Sequence, residues 1–444
     1  MENKKRKKDR VLGLLAVGLL LGCLLLYTDG YLIFLENAKN IITIGVFSDS
    51  YWEVQNGYSY QILEDAIDLF EKDHPGVKVE YVSGILKEDY SEWLSEQLLS
   101  GRGPDLFFIL QEDFHGFAEI GALKDLTSLI QQDGDFKEER FYTSAFEYGK
   151  YNGIPYSLPF ECAPKLMFVN QTILNKEGLN IPKEDWTWEK FYDICKKVTK
   201  DTDNNGMIDQ FGVLNYTWEE AFESNGVALF DQRGTKCYLS DEKVEPALTF
   251  IENLNGLNSG YTATTRDFDL GNVVFWPMSF SEYRAYKPYP LSIKKYSSFE
   301  WDCIPMPRGP SGENVSTLDT LRIAMNASTK NTRYAWDFMK TLTQDTRIQS
   351  EIFDYSEGVS VLKEVTESDK ARERLMEGLG DSSHLSLEIL GDAVEHAVIA
   401  PRFRKYEEAV LEVDKAVKAI IESNSNIRME QIIWNRKINK FLEK

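Results

Sequence analysis

Between residues 41 and 110 the chain alternates strand-like with helix-like stretches, and this alternation constrains its fold more than any other feature. Residues 41–47 form a β-branched apolar run, and residues 60–73 then place Ile62, Leu63, Ala66, Ile67 and Phe70 at helical spacing. His74, Pro75 and Gly76 stop that helix. Residues 77–82 read as a second strand, 87–100 as a second helix, 101–104 as a turn and 105–110 as a third strand. That order predicts an α/β fold, with βαβ units on a mainly parallel sheet covered on both faces by helices. Ligands of such sheets bind beyond the carboxyl ends of the strands, here residues 48–52 and 111–113. Further on, 188–198 predicts a helix with Thr187 as its N-cap, 321–326 a strand and 334–342 a helix. Residues 405–422 carry a helical stripe of Ala409, Val410, Val413, Ala416, Val417 and Ile420. At 444 residues the chain exceeds what one hydrophobic core organises, so two core-bearing units are expected.

The amino terminus addresses the chain. Lys4, Lys5, Arg6, Lys7, Lys8 and Arg10 precede an apolar run over residues 11–27 that contains no charge. A basic flank before an apolar stretch is an export signal whose charged end stays in the cytoplasm. The run suits a short membrane anchor or a long signal core. Leu20-Leu21-Gly22-Cys23 also resembles a lipoprotein cleavage box with Cys23 as the lipidated residue, although three leucines follow it. An uncleaved anchor, a lipoprotein and simple secretion all place the remainder outside the cytoplasm.

Several function classes drop out. A formal charge of −21 repels phosphate backbones, so no nucleic-acid partner is expected. There is no nucleophile elbow, P-loop, GxGxxG or HExxH, and His74, His115, His384 and His396 lie far apart. A pair of converging carboxylates remains the one enzymatic alternative, and no enzyme is the reading preferred. Cys162, Cys195, Cys237 and Cys303 have neither CxxC nor zinc spacing and read as packed thiols.

Two constellations carry chemistry. Asp201, Asp203, Asn205 and Asp209, with Gly206 between them, reproduce the front of a calcium loop. Its twelfth position, where a bidentate Glu belongs, is Gly212, so the segment reads as a polar turn, with a weak calcium site as the alternative. No other cofactor is expected. The second constellation sets aromatic rings beside acids at strand ends: Asp49, Tyr51 and Trp52; Glu112; Glu161; Tyr216, Trp218 and Glu219; Trp276 and Asp319. Sugars present hydroxyls to polar side chains and C–H faces to rings, so this mixture points to a saccharide pocket.

The chain resembles the bacterial extracellular solute-binding proteins of the maltose-binding type, which serve ABC sugar importers. The likeness runs from about residue 41 to residue 421. It is carried by the order of Ala66-Ile67-Asp68-Leu69-Phe70-Glu71, Gly103-Pro104-Asp105-Leu106, Gly121-Ala122-Leu123-Lys124-Asp125-Leu126, Asn152-Gly153-Ile154-Pro155-Tyr156 and Thr187-Trp188-Glu189-Lys190-Phe191. Ala335-Trp336-Asp337-Phe338 and Gly358-Val359-Ser360-Val361 complete the series. The resemblance implies a two-lobed periplasmic-binding-protein type II fold with three hinge crossovers, near 160–164, 304–307 and 357–361. Residues 1–37 would be flank and anchor, 40–160 with 306–358 lobe one, and 161–305 with 359–444 lobe two. It further implies a sugar ligand gripped by Asp49, Trp52, Glu112, Glu161, Tyr216 or Trp218, Trp276 and Phe403, and ABC permease subunits as partners. A peptide, polyamine or metal ligand is the alternative, the aromatic–acid mixture leaning away from metals.

Overall fold

The computed structural model describes residues 40–52, 60–183, 185–286, 299–376, 387–401, 403–423 and 425–443. The amino-terminal segment with Cys23, and His384, lie outside the described residues. Among the described residues no helix is long and apolar enough to cross a membrane.

The strands are β1 (Asn40–Gly45), β2 (Val77–Tyr81), β3 (Leu106–Ile109), β4 (Lys150–Tyr151), β5 (Ile154–Pro155), β6 (Ser157–Asn170), β7 (Phe211–Val213), β8 (Val273–Ser279), β9 (Trp301–Ile304), β10 (Leu318–Met325) and β11 (Val359–Ser360). All but β4 and β5 join one sheet in the order β2-β1-β3-β10-β6-β8-β7, with β9 and β11 also paired to β6. Its rims are parallel, β1 with β2 and β3, and β7 with β8. The centre is antiparallel, where β6 meets β10, β8, β9 and β11. Helices cover the strands, as the alternating pattern predicts. Gln61–Asp73 buries Ile62, Leu63, Ala66 and Phe70. Trp188–Val198 starts at Thr187, whose side chain accepts from the Lys190 N–H. Tyr406–Glu422 buries the expected stripe except Val410, which is half-buried.

The long strand β6 is the spine of two half-sheets. Up to Pro164 it pairs with β10, and from Lys165 onward with β8. Proline cannot donate to a ladder, and opposite Pro159 the register slips between Leu321 and Arg322, a bulge of the kind that re-aims side chains. One core cluster fills the first half-sheet and continues over one face of the second through Phe168, Phe268, Trp276 and Tyr283. A second cluster fills the other face, from Val169, Trp188 and Phe191 to Val413 and Ile438.

Strand pairing and core packing show where the chain passes between the half-sheets. Glu161 still pairs with Leu321 of the first half-sheet, so the chain crosses at 164–165. Met306 packs in the second cluster and Gly309 N–H donates to Ser224 O at 2.8 Å, which delays the return crossing to 316–318. At the third crossover, Val359 and Ser360 pair with Cys162 and Glu161, and Leu362, Leu390 and Val394 pack in the first cluster. Residues 359–376 and 387–395 therefore pack with the first half-sheet, and the chain reaches the second near Val398. These three points lie side by side. Lys165 N–H donates to Thr317 O at 3.1 Å, Val398 N–H to Ser316 O at 2.8 Å, and Ser316 Oγ to Lys165 O at 2.5 Å. Cys162, Cys195, Cys237 and Cys303 are all free and buried.

Candidate functional site

A groove opens over the three crossovers. One compartment, of about 570 Å³, has Ala163, Lys165, Thr317 and Val398 at its floor. Trp218, Phe222, Phe230 and Tyr406 form its second-lobe wall, with Tyr148 and Asp319 opposite. A second compartment, of about 530 Å³, shares Tyr148, Gln232 and residues 399–401 with the first and extends to Gln111, Tyr151, Arg233 and Arg322. Each is of the size that holds a small organic ligand.

The aromatic wall is held by a capped helix. Trp218–Ser224 begins with a capping box, in which Thr217 and Glu220 exchange hydrogen bonds with each other's backbone. The second oxygen of Glu220 takes Lys165 Nζ at 2.7 Å, so one carboxylate caps the helix and answers the ammonium at the crossover. Burial alone pulls the Lys165 ammonium down, but the carboxylates of Glu220, Glu223 and Glu219 outweigh it and hold the pKa above the usual lysine value. Burial likewise opposes ionisation of Glu220, and Lys165 overrides it, keeping the carboxyl below its ordinary value. Trp218 is 9% exposed and its Nε1 donates to Asp414 Oδ1 at 3.2 Å, which fixes the indole plane at the groove edge.

The first-lobe wall centres on Tyr148. Its hydroxyl donates to Asp319 Oδ1 at 3.3 Å. Arg322, opposite the bulge that Phe160 makes in β6, is buried with its guanidinium between the Phe114 and Tyr148 rings, at 4.2 and 4.9 Å. It donates to Tyr148 O at 2.9 Å and Gln111 Oε1 at 2.6 Å. Burial pushes the Tyr51 hydroxyl well above its usual pKa; Asp319, Tyr148 and Glu112 add to this and Arg322 opposes it.

Of the residues expected from sequence, Trp218 and Asp319 line the groove. Glu112 is exposed in the first turn of the helix Gln111–Glu119, beside a lining residue. Asp49 is exposed at the end of β1, against a small separate cavity of about 60 Å³ that it shares with Glu161 and Ser356. Trp52 is buried edge-on against Tyr51 at 4.7 Å. Four expectations are corrected. Glu161 is 4% exposed and accepts from Ser356 Oγ inside lobe one. Burial pushes its carboxyl up to about 7, against opposing contributions from Ser356, Trp52 and Arg284. The Trp52 N–H itself completes no hydrogen bond, so it favours the charged carboxylate only by proximity. Tyr216 is core, its hydroxyl accepting from Trp188 Nε1 at 2.9 Å and meeting Ser224 Oγ at 3.2 Å. Trp276 lies in β8 and packs edge-on against Phe268 at 4.7 Å. Phe403 lies behind the wall, against Phe230 at 5.3 Å and over Gly234, where any Cβ would strike its ring. Sequence reasoning missed Tyr148, Lys165, Gln232, Arg322 and Tyr406. A charge inside the apolar run of β10 was the available signal for Arg322.

The carboxylates of Asp201, Asp203 and Asp209 do converge, with oxygens within 4.8 Å of one another. The loop's own backbone uses them: Gly206 N–H donates to Asp201 at 2.7 Å, Asn205 N–H to Asp203 at 3.1 Å and Thr202 N–H to Asp209 at 2.7 Å. Gly212 packs so closely on Cys195 that even a Cβ would not fit, which bars the bidentate acid of a calcium loop. The donor set fits a self-capped turn better than a calcium cage.

With the geometry in place, likeness to known proteins is informative. The chain is 22% identical over 394 residues to a maltotriose-binding protein of Pyrococcus abyssi, covering 86% of this chain and 79% of that one. It superposes on an ABC substrate-binding protein of Listeria monocytogenes in complex with cycloalternan with a TM-score of 0.66 at 19% identity, over 91% of this chain and 99% of that one. A cyclic α-maltosyl-1,6-maltose binding protein of Arthrobacter globiformis gives a TM-score of 0.72 at 14% identity, over 91% and 99%. These superpositions establish the two-lobed type II α/β fold. Residues 55–346 match the family described as bacterial extracellular solute-binding protein, and the chain belongs to that family.

Proposed function

We propose that this protein captures an oligosaccharide outside the cytoplasm and delivers it to an ABC importer by closing its two lobes around it. The observation that carries the reading is the groove itself. Its floor is made of the three crossovers, and its walls set Trp218, Phe222, Phe230 and Tyr406 of one lobe against Tyr148 and Asp319 of the other. Rings stack on the C–H faces of a sugar while carboxylates accept its hydroxyls, and a guest touching both lobes shifts the balance towards the closed form. The maltotriose-binding relative, the cycloalternan complex and the cyclic α-maltosyl-1,6-maltose binding protein support a saccharide over a peptide, polyamine or metal. The role is binding without turnover.

Family membership supports an extracytoplasmic location. The basic flank and apolar run of residues 11–27 would tether the domain to the membrane, as an uncleaved anchor or through lipid on Cys23. The lobes are proposed as 40–164 with 318–397 and 165–316 with 398–443. A thermal-shift screen against neutral and substituted oligosaccharides tests the function, because a ligand of the folded state alone raises the melting temperature. Failure of every saccharide to shift it, with calorimetry silent as well, would remove the proposal.

A further inference from the structure

The second lobe carries the helix Ile427–Leu442, and the two faces of that helix are unlike. The inner face is fastened. Gln431 and Ile438 are buried, Asn439 donates to Cys237 O at 3.0 Å and accepts from Cys237 N–H at 2.9 Å, and Arg428 donates to Ser240 O at 2.7 Å. The outer face presents Met429, Ile432 and Ile433, which are 66%, 38% and 43% exposed, and then Arg436, Lys437 and Lys440, also exposed. At about 100° per residue these six share roughly 140° of arc. Glu443 is the acid on that arc, at its carboxyl end, and Glu430 at the edge is half-buried. Among the described residues no other helix exposes more than one large apolar side chain, and no carboxylate pairs with the three cations. Lys437 Nζ stands over the Trp434 ring at 3.8 Å.

Apolar side chains gathered beside cations stand out on a chain of formal charge −21. Together they have the composition of a helix lying in the plane of an anionic bilayer, with apolar groups at the acyl boundary and cations at the headgroups. Trp434, half-buried at the edge of the face, has the amphipathic ring that such interfaces favour. The amino-terminal tether supplies the bilayer. Twelve residues, 28–39, separate the apolar run from Asn40. They reach at most about 40 Å, and a domain of this length has a radius of gyration of about 21 Å. So short a leash keeps the domain beside the membrane, at an effective concentration that makes a weak contact count. An anionic surface repels most of this acid chain and attracts the outer face of Ile427–Leu442.

We infer that the helix Ile427–Leu442 docks the second lobe on an anionic lipid surface. Met429, Ile432 and Ile433 enter the boundary between headgroups and acyl chains, and Arg436, Lys437 and Lys440 meet the headgroup phosphates. The inference rests on the membrane tether proposed above and is independent of the sugar. None of the six residues lines the groove, so a docked protein still takes up its guest.

The test uses the full chain in nanodiscs that hold a single copy each, made of zwitterionic lipid alone or with anionic lipid added. A coumarin-bearing amino acid replaces Ile433, or replaces Met207 in the acid loop 201–209 as a control. It is quenched either by doxyl groups on the lipid chains or by acrylamide in the water. In anionic discs the probe at 433 should be quenched by the lipid and shielded from acrylamide, while the probe at 207 stays open to acrylamide. Each of Arg436→Gln, Lys437→Gln and Lys440→Gln should lower the docked-to-free ratio about fivefold, the worth of a basic residue at such a surface. Added salt should lower it further. A probe at 433 as open to acrylamide in anionic discs as in zwitterionic ones overturns the docking and leaves the tether standing. Shielding that ignores all three substitutions overturns it too, as does shielding that needs two copies per disc, which marks self-association. A chain that co-elutes with no disc removes the tether and the docking with it.

Discussion

Replacing Glu161 by glutamine should stabilise the protein at alkaline pH and leave it unchanged in acid. Glu161 is buried beside Ser356, Trp52 and Arg284, and its carboxyl is pushed from 4.5 up to about 7, chiefly by burial. A carboxyl whose pKa is raised on folding binds its proton more tightly in the folded state. Its contribution is complete below about pH 4.5 and is lost progressively as the pH rises to about 7. Across that interval the loss, at ~1.4 kcal/mol per pH unit, comes to about 3 kcal/mol. The amide is neutral throughout and keeps an oxygen for the Ser356 hydroxyl, while Arg284 keeps its bonds to Phe353 O at 2.9 Å and Gly358 O at 2.6 Å. Urea unfolding followed at intervals from pH 4 to 8.5 should give two curves that coincide at the acid end and separate by about 3 kcal/mol above neutrality. Asp113 and Glu351, also raised by burial, to about 6 and about 7, contribute equally to both proteins and cancel in the difference. Parallel curves over the whole range would refute the assignment. Ligand affinity should be the same in both, because Glu161 does not line the groove.

Trp218→Ala should weaken saccharide binding by about 1–3 kcal/mol, read by calorimetry on the folded variant, and should also lower stability in urea by about 3–5 kcal/mol, because the ring is packed in the second core cluster. Trp276→Ala should cost a similar amount of stability, because a buried ring is replaced by a cavity, and should leave affinity intact. Tyr216→Phe should cost about 1–3 kcal/mol of stability, since it strands the buried Trp188 N–H, and should leave calorimetric affinity intact. Calcium should leave the melting temperature where it was, the carboxylates of the 201–209 loop being engaged by its own backbone.

How much of this was legible in the sequence depended on range. The helix Trp188–Val198 with its Thr187 cap, and the stripe of Tyr406–Glu422, are written in neighbours three and four residues apart, and the structure places both as expected. The crossovers were not legible, because they are defined by contacts such as Lys165 with Thr317 and Ser316 with Val398, between segments remote in sequence. Composition could not separate Trp218 from Trp276. Context could have done so, since Trp276 sits in the uninterrupted apolar run of β8, which marks a strand buried on both faces, whereas Trp218 follows an N-cap. Arg322 shows the opposite case. A cation in the middle of a buried strand is unfavourable unless its guanidinium is hydrogen-bonded, and its presence there indicated a wall of the site.

The hinge and the aromatic wall are mechanically one piece. Glu220 caps the helix that carries Trp218 and also holds Lys165, the first residue of β6 to pair with β8. Any rotation of the second lobe therefore carries the wall and Lys165 together. The residue before it, Pro164, has no N–H to give the ladder, so the spine has fewer bonds to distort where it passes between half-sheets. Closure can then be taken up between Pro164 and Lys165, at Ser316–Thr317 and at Val398. The hydrogen bonds among those segments tie the three bends to a common axis. A guest lying on that floor is near the axis, so lobe rotation moves the floor little and the walls far. The rings on the walls, Trp218 on one side and Tyr148 on the other, are then the groups whose contacts distinguish closed from open, and they are where substitutions should alter the closing equilibrium most.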